Sequence, residues 1–499
     1  MPGRPHPRRT GARPWSRPVA VALVGGLVAA APAAGAGDPT MPLRDVKPGM
    51  QCTGRTVLHG TTITPFQAVV IDTVDGQAGG EDARILMRFP DPAIQPFGIA
   101  EGFSGSPVYC PDAHGVQRVI GAVSEGIGEY GNDKALVTPI AQVLAQSPNP
   151  PAGAKPRARR PGTRSLDELT MTGIPPSVAG VLERAARKVG RNLVVTSGGP
   201  AAGRFVPQNL VPGASVSAGY ADGDYSTSAI GTVTYRDGDT VWAFGHPLDA
   251  VGRRTLFLQD AYVYDVIDEP DPYVGSSYKL AAPGHDLGMV TGDGNNAIAG
   301  RLGAGPPEIR FTLRVRDADT GKVTNTSSDI ADETDLGNPA GQSALDFVAP
   351  AAVAGEGSTV LGGASVNQSG SMCFQLSMRE WPKPIKVCNR YVATGSVGQG
   401  VPNPVAATAG QDVGTAVLDT ETPTFAPLHL TKLAVQLTQE RGLRKAFIRS
   451  VSLPKRVHPG QRVRVALRVQ RYHGGFSTRR FTVQIPPSIR PGTRNVTFA

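Results

Sequence analysis

Residues 102–107 read Gly102-Phe103-Ser104-Gly105-Ser106-Pro107 and lead straight into the apolar stretch Val108-Tyr109-Cys110. A nucleophilic serine needs a turn tight enough to expose its oxygen, and small neighbours that let an acyl substrate reach backbone N–H groups. Glycines on both sides of Ser104 meet those needs, and the N–H groups of Gly102 and Ser104 are the expected oxyanion donors. The same residues also make an ordinary Gly/Ser turn, so the chemistry depends on a base. Among the histidines, His6 lies in the N-terminal leader, while His114, His458 and His473 fall in turn-like loops. His246 directly follows the strand pattern Thr240 to Phe244 in FGHP, where a sheet rim braced by Gly245 and Pro247 can position an imidazole. His59 and His285 are second choices. The orienting carboxylate is expected at Asp91 in FPDPAIQPF, which apart from Glu101 is the nearest acid upstream of the serine; an Asp-Pro step also simply starts a turn.

Taken together these segments carry a resemblance. GFSGSPVY followed by VIGAVSEG resembles the serine end of the sporulation factor IV B (SpoIVB) peptidase family, with its G-x-S-G-S-P motif and following V-I-G-A-V strand. AIGTVTYRDGDTVWAFGHPL resembles that family's histidine segment, and Asp91-Pro92 matches its D-P step. The resemblance covers roughly residues 41–145 and 205–300. It implies Ser104 as nucleophile, His246 as general base and Asp91 as the group orienting the imidazole, with Ser106 not the nucleophile. It also implies a chymotrypsin-like pair of β-barrels with the active site between them. Two departures stand out. The family's order is His, Asp, Ser and the order here is Asp, Ser, His, as if the halves were exchanged, which geometry permits; and no PDZ module precedes the peptidase segments.

The elements expected to hold these residues are mostly strands. A Pro-plus-Gly share of about a fifth argues against a helical bundle, while 40% apolar residues suffice for packed cores and the length suits three or so units. Residues 41–146 alternate short apolar runs with turn signals, including a hairpin of Val108 to Cys110 with Val119 to Val123. Residues 147–165 are Pro-rich and basic and read as a linker, and 166–204 as a connector whose helix spans PPSVAGVLERAARKVG, with Val178, Val181, Leu182, Ala185 and Val189 on one face. In 205–304 the clearest hairpin pairs Ile230 to Tyr235 with Thr240 to Phe244 around Asp237-Gly238. Residues 305–430 hold further strand-like pieces, with DFVAPAAVA as a candidate helix. The period-two alternation of 431–499 suits an immunoglobulin-like β-sandwich module.

The formal charge of +9 is weighted to the leader: Arg4, Arg8, Arg9, Arg13 and Arg17 occur with no acid, before an Ala-rich apolar run and Ala34-Gly35-Ala36. That order is the one expected of a secretory signal of residues 1–36, cleaved near Ala36, with a membrane anchor as the alternative, for which the apolar stretch is short and Ala-rich; beyond it the charge is 45 minus 41, or +4, which removes the main argument for a nucleic-acid partner. No later window is long and apolar enough for a bilayer span, so the mature chain is expected secreted or at the cell envelope. Four cysteines, Cys52, Cys110, Cys373 and Cys388, have no metal-site spacing and allow three pairings. Proximity in sequence favours Cys52–Cys110 and Cys373–Cys388, with four buried thiols as the alternative.

The expectation is a mainly β, exported serine endopeptidase acting on protein or peptide, needing no metal or organic cofactor, and cutting itself within 147–165, where basic sequence is exposed. The competing expectation is a catalytically silent envelope scaffold. An esterase ranks third, because the strand-to-helix context of a G-x-S-x-G elbow is missing.

Overall fold

The structure, a computed structural model, describes residues 37–74, 82–127, 133–153, 163–166, 168–188, 192–269, 276–362, 367–394, 403–422, 426, 428–490 and 492–493. The expected leader 1–36 and residues 154–162 of the expected linker therefore lie outside the described residues.

Six strands open the described chain: β1 (Gln51–Val57), β2 (Ile63–Val74), β3 (Arg84–Arg88), β4 (Pro107–Pro111), β5 (Gln117–Ile127) and β6 (Lys134–Pro139). They pair antiparallel in the order β4-β1-β2-β3-β6-β5, and β4 also pairs with β5, so the sheet closes into a six-stranded barrel. Its interior is filled by Phe66, Ile85, Met87, Phe89, Phe103, Val108 and Val137, as a small barrel requires. The Cys52–Cys110 disulfide joins β1 to β4. A short helix, α1 (Ile140–Leu144), follows β6.

The connector carries β7 (Thr163–Ser165), β8 (Glu168–Thr172), α2 (Pro176–Lys188) and β9 (Asn192–Val195). The expected helix is present, but among the described residues of its apolar face only Val178 is fully buried, and Val189 lies outside the described residues. The described end of the expected linker is not free chain, because β7 adds to β5.

A second set follows: β10 (Ser215–Gly223), β11 (Ser226–Asp237), β12 (Thr240–Ala243), β13 (Gly252–Ile267), β14 (Tyr278–Gly294) and β15 (Ala297–Leu302). Their antiparallel pairings run β10-β13-β14-β15-β12-β11 and return to β10, closing a second six-stranded ring around Val216, Val233, Phe244, Leu256 and Val290. The predicted hairpin around Asp237-Gly238 is β11–β12. The two barrels dock through main-chain contacts: Gly60 and Val263 exchange hydrogen bonds of 2.7 and 3.0 Å, and Lys279 N–H donates to the Glu101 carbonyl at 3.0 Å.

The second barrel extends into β16 (Glu308–Asp317), β17 (Val323–Ala331), β18 (Asn367–Met378), β19 (Ile385–Thr394) and β20 (Leu430–Arg441), and with β8 and β9 added beside β11 this gives a continuous 13-stranded sheet. Two helices, α3 (Leu345–Leu361) and α4 (Pro404–Glu421), cover its far end over Phe311, Leu313, Val435 and Leu437. The Cys373–Cys388 disulfide links directly opposed residues of β18 and β19. Region 305–430 thus has two helices where the strand-like pieces suggested one.

The C-terminal expectation needs correction. Among the described residues, 431–499 does not form a two-sheet sandwich: β20 belongs to the large sheet, and β21 (Ala446–Ser452), β22 (Arg462–Arg471) and β23 (Phe476–Gln484) make a single three-stranded sheet. Alternation reports that a strand has one apolar face; it does not report how many sheets share it.

Candidate active site

The Gly102–Gly105 turn closes the approach to β4 and lies against β11 of the other barrel. Thr232 N–H donates to the Ser104 carbonyl at 2.8 Å, the Thr232 hydroxyl to the Gly102 carbonyl at 3.2 Å, and the Thr234 hydroxyl to the Gly105 carbonyl at 2.8 Å. Both threonines of the TVT segment therefore pin the serine turn. Contact is so close at Gly105, which has φ +89°, that a methyl group there would lie 2.0 Å from the Thr232 carbonyl oxygen and 2.5 Å from the Phe244 nitrogen. Only glycine fits.

His246 arrives at the same seam from the end of β12. Thr138 of the first barrel donates its hydroxyl to the Gly245 carbonyl at 2.8 Å, and the Gly105 N–H donates to Val123 of β5 at 2.8 Å, so both loops rest on neighbouring strands of one barrel. The imidazole is buried and meets the Phe244 ring edge-on. Its Nδ1 lies 2.7 Å from the Pro247 carbonyl oxygen. A carbonyl only accepts, so Nδ1 carries a hydrogen, and of the two neutral tautomers this selects the one whose Nε2 has the lone pair a general base needs.

Ser104 Oγ and His246 Nε2 are both buried and both without a hydrogen-bond partner, including each other. The Ser106 hydroxyl, by contrast, is satisfied inside the turn by the Phe103 carbonyl at 2.6 Å. Asp91 does not join them. Its carboxylate accepts the N–H of Gln67 and of Ala93, each at 2.9 Å, which ties the loop after β3 to β2. Of the expected oxyanion donors, the Ser104 N–H has no acceptor among the described residues, whereas the Gly102 N–H donates to the Leu166 carbonyl at 3.2 Å. His59 and His285 lie elsewhere, on the Tyr264 carbonyl and on Asp260 respectively.

Sequence reasoning missed Lys279 of β14, which is wholly buried behind the serine turn. Its Nζ donates to the hydroxyl of Thr56 at 2.7 Å and to that of Thr232 at 3.3 Å, and it sits 5.1 Å from the Phe103 ring centroid. Thr232 thus carries a relay from Lys279 to the Gly102 carbonyl. Burial pulls the amine down to about 7, with the charge of Glu168 opposing that shift. Glu168 is itself fully enclosed; burial and the charge of Glu101 hold its carboxyl well above the usual range, and its Oε2 has no partner. A lysine in the otherwise apolar run Tyr278 to Ala282 was the signal for this group.

The loop after His246 is held by a second buried cluster. Both Asp293 oxygens accept main-chain hydrogens, from Leu248 and Asp249, at 2.8 Å. Arg254, fully buried, makes a two-pronged contact with Glu333 at 2.8 Å and bonds Asp249 at 2.6 Å. Burial pushes the Asp293 carboxyl up, and the Arg254 charge counters it. No group of three or more metal-ligating side chains occurs among the described residues.

No family model, curated protein or solved structure matches this chain.

Proposed function

We propose that this chain is an exported serine endopeptidase with chymotrypsin-like paired barrels whose halves stand in exchanged order. The observation that carries the reading is that Ser104 and His246, supplied by different barrels, are two buried and unpartnered side chains on loops packed along one seam. Nε2 takes the hydroxyl proton as Oγ attacks the substrate carbonyl carbon. The departing amine takes that proton back, and water then releases the acyl group by the same route. The Pro247 carbonyl fixes the tautomer, the part the resemblance gave to Asp91, and Asp91 holds the loop after β3 against β2.

The described conformation is a closed one on this reading. Ser104 has no exposed surface, and the Leu166 carbonyl occupies the Gly102 N–H that a tetrahedral oxyanion would need. Leu166 directly follows the basic segment proposed for self-cleavage, so a cut within 147–165 gives Leu166 a route to withdraw. The two disulfides suit an oxidising compartment.

Fluorophosphonate labelling of the full chain before and after incubation tests this. Labelling is expected to rise as the chain is cut, to vanish in Ser104→Ala and to persist in Ser106→Ala. Absence of labelling from both folded forms of the wild type would sink the enzyme reading. It would favour the silent scaffold, for which the missing Ser104–His246 hydrogen bond is the supporting observation.

A further inference from the structure

Beyond the leader, the small net charge hides a segregation. Residues 441–499 contain 14 Lys and Arg and no Asp or Glu, while 37–440 hold 31 basic residues against all 41 acids. The register of the three-stranded sheet sorts many of these cations onto one face. Arg462, Arg464 and Arg468 alternate along β22, and Arg480 of β23 stands opposite Ala466, between them on the same side. Arg449, at the bulge of β21, reaches that side too, since its Nε donates to Gln470 at 2.9 Å. Successive same-face positions are about 7 Å apart, so the row extends roughly 20 Å.

Across one end of this face Phe447, Gln470 and Phe476 lie side by side on the three strands. The two rings are 38% and 55% exposed, and each has its own cation stacked on it: Lys445 and Arg449 over Phe447, Arg468 over Phe476 at 4.5 Å. Val463, Val465 and Leu467 line the reverse face with Ile448 and Val451. The remaining surface polar groups of the basic face are uncharged Ser, Thr and Gln. The face therefore lacks any carboxylate that would repel an anion.

We propose that this face docks the protein on an anionic phospholipid surface, an inference independent of the peptidase reading. Clustered cations are drawn to acidic headgroups, and exposed rings beside them enter the interfacial layer. Rings already covered by guanidinium groups suit that layer, where the cation meets phosphate and the ring sinks below it, better than they suit stacking with bases, which needs an open ring face.

Vesicle co-sedimentation of the full chain decides it. Binding is expected to vesicles containing phosphatidylglycerol, to be negligible on pure phosphatidylcholine, and to fall with salt. With each cation contributing about fivefold to partitioning, Arg462→Glu with Arg480→Glu is expected to cut binding at least about 25-fold. Arg471→Glu with Arg479→Glu changes net charge equally from the reverse face and is expected to cost no more than about threefold, since its cations lie farther from the lipid. Thermal midpoints identify any variant that has lost its fold, and Phe447→Ser with Phe476→Ser, expected to remove the salt-resistant part of binding, gives a second reading. No binding to acidic vesicles, equal loss in both charge reversals, or tighter binding to a single-stranded oligonucleotide at equal phosphate would overturn the proposal.

Discussion

Two buried polar regions flank His246, and they are built on opposite terms. Around Arg254 the guanidinium faces Asp249, Asp293 and Glu333, each of which bonds it or the adjoining main chain. At the barrel seam Ser104, His246 and Glu168 each keep an unpartnered buried atom, and the Lys279 amine hydrogen-bonds hydroxyls and no carboxylate among the described residues. A complete network positions a loop and resists change. An incomplete one has donors and acceptors in reserve, which is costly in a folded chain unless something else comes to use them.

The sharpest way to break this contrast is Arg254→Met. Removing the cation strands buried carboxylates, so unfolding in urea is expected to show a loss of about 3–5 kcal/mol. A loss below about 1 kcal/mol would mean the cluster is not the support it resembles. Lys279→Met should act in the other direction, stabilising by about 1–3 kcal/mol near pH 6 because a poorly compensated buried charge disappears. The pH dependence follows from the depressed amine. Between pH 7 and the ordinary lysine value of 10.5 the unfolded chain binds the proton and the folded chain does not, so this group's contribution to stability rises with pH over that window and is lost as pH falls to 7. The advantage of the methionine variant is therefore expected to shrink from pH 7 to pH 10; a constant difference would count against a neutral buried amine. The smallest effect belongs to Ser104→Ala, within about 1 kcal/mol of wild type, since the hydroxyl it removes bonds nothing. A larger destabilisation would show that Ser104 has a structural partner after all.

Local chemistry made much of this legible. Asp237-Gly238 announced β11–β12, sequence proximity favoured the observed disulfide pairs, and the glycines around Ser104 announced a tight turn, although what comes close at Gly105 is the backbone of Thr232 and Phe244, where the sequence suggested a substrate. Other features were hidden for physical reasons. Helix α4 carries Gly410 and Gly414, which weaken a helical pattern; yet a methyl on Gly410 would lie 2.7 Å from the Pro350 carbonyl, so the glycine serves packing against α3. Its start was written in Asn403-Pro404, with Asn403 accepting the Ala406 N–H. Lys279 was passed over because its importance depends on what surrounds it in space, which no window of sequence contains. A net charge obscures the contrast between the acidic body and the basic C-terminal sheet, since a sum does not show how charges are distributed.

The strand β19 ends the large sheet, and its exposed side chains include Ile385, Val387 and Val392. A rim of N–H and C=O groups that no other described strand pairs with, beside aliphatic side chains, invites a stranger's strand to lie down beside it. Cys373–Cys388 holds that rim to its neighbour at a single register. It fixes how β19 sits on β18, so that no slip can carry the aliphatic side chains to the other face, while the outer edge of β19 stays open to an added strand.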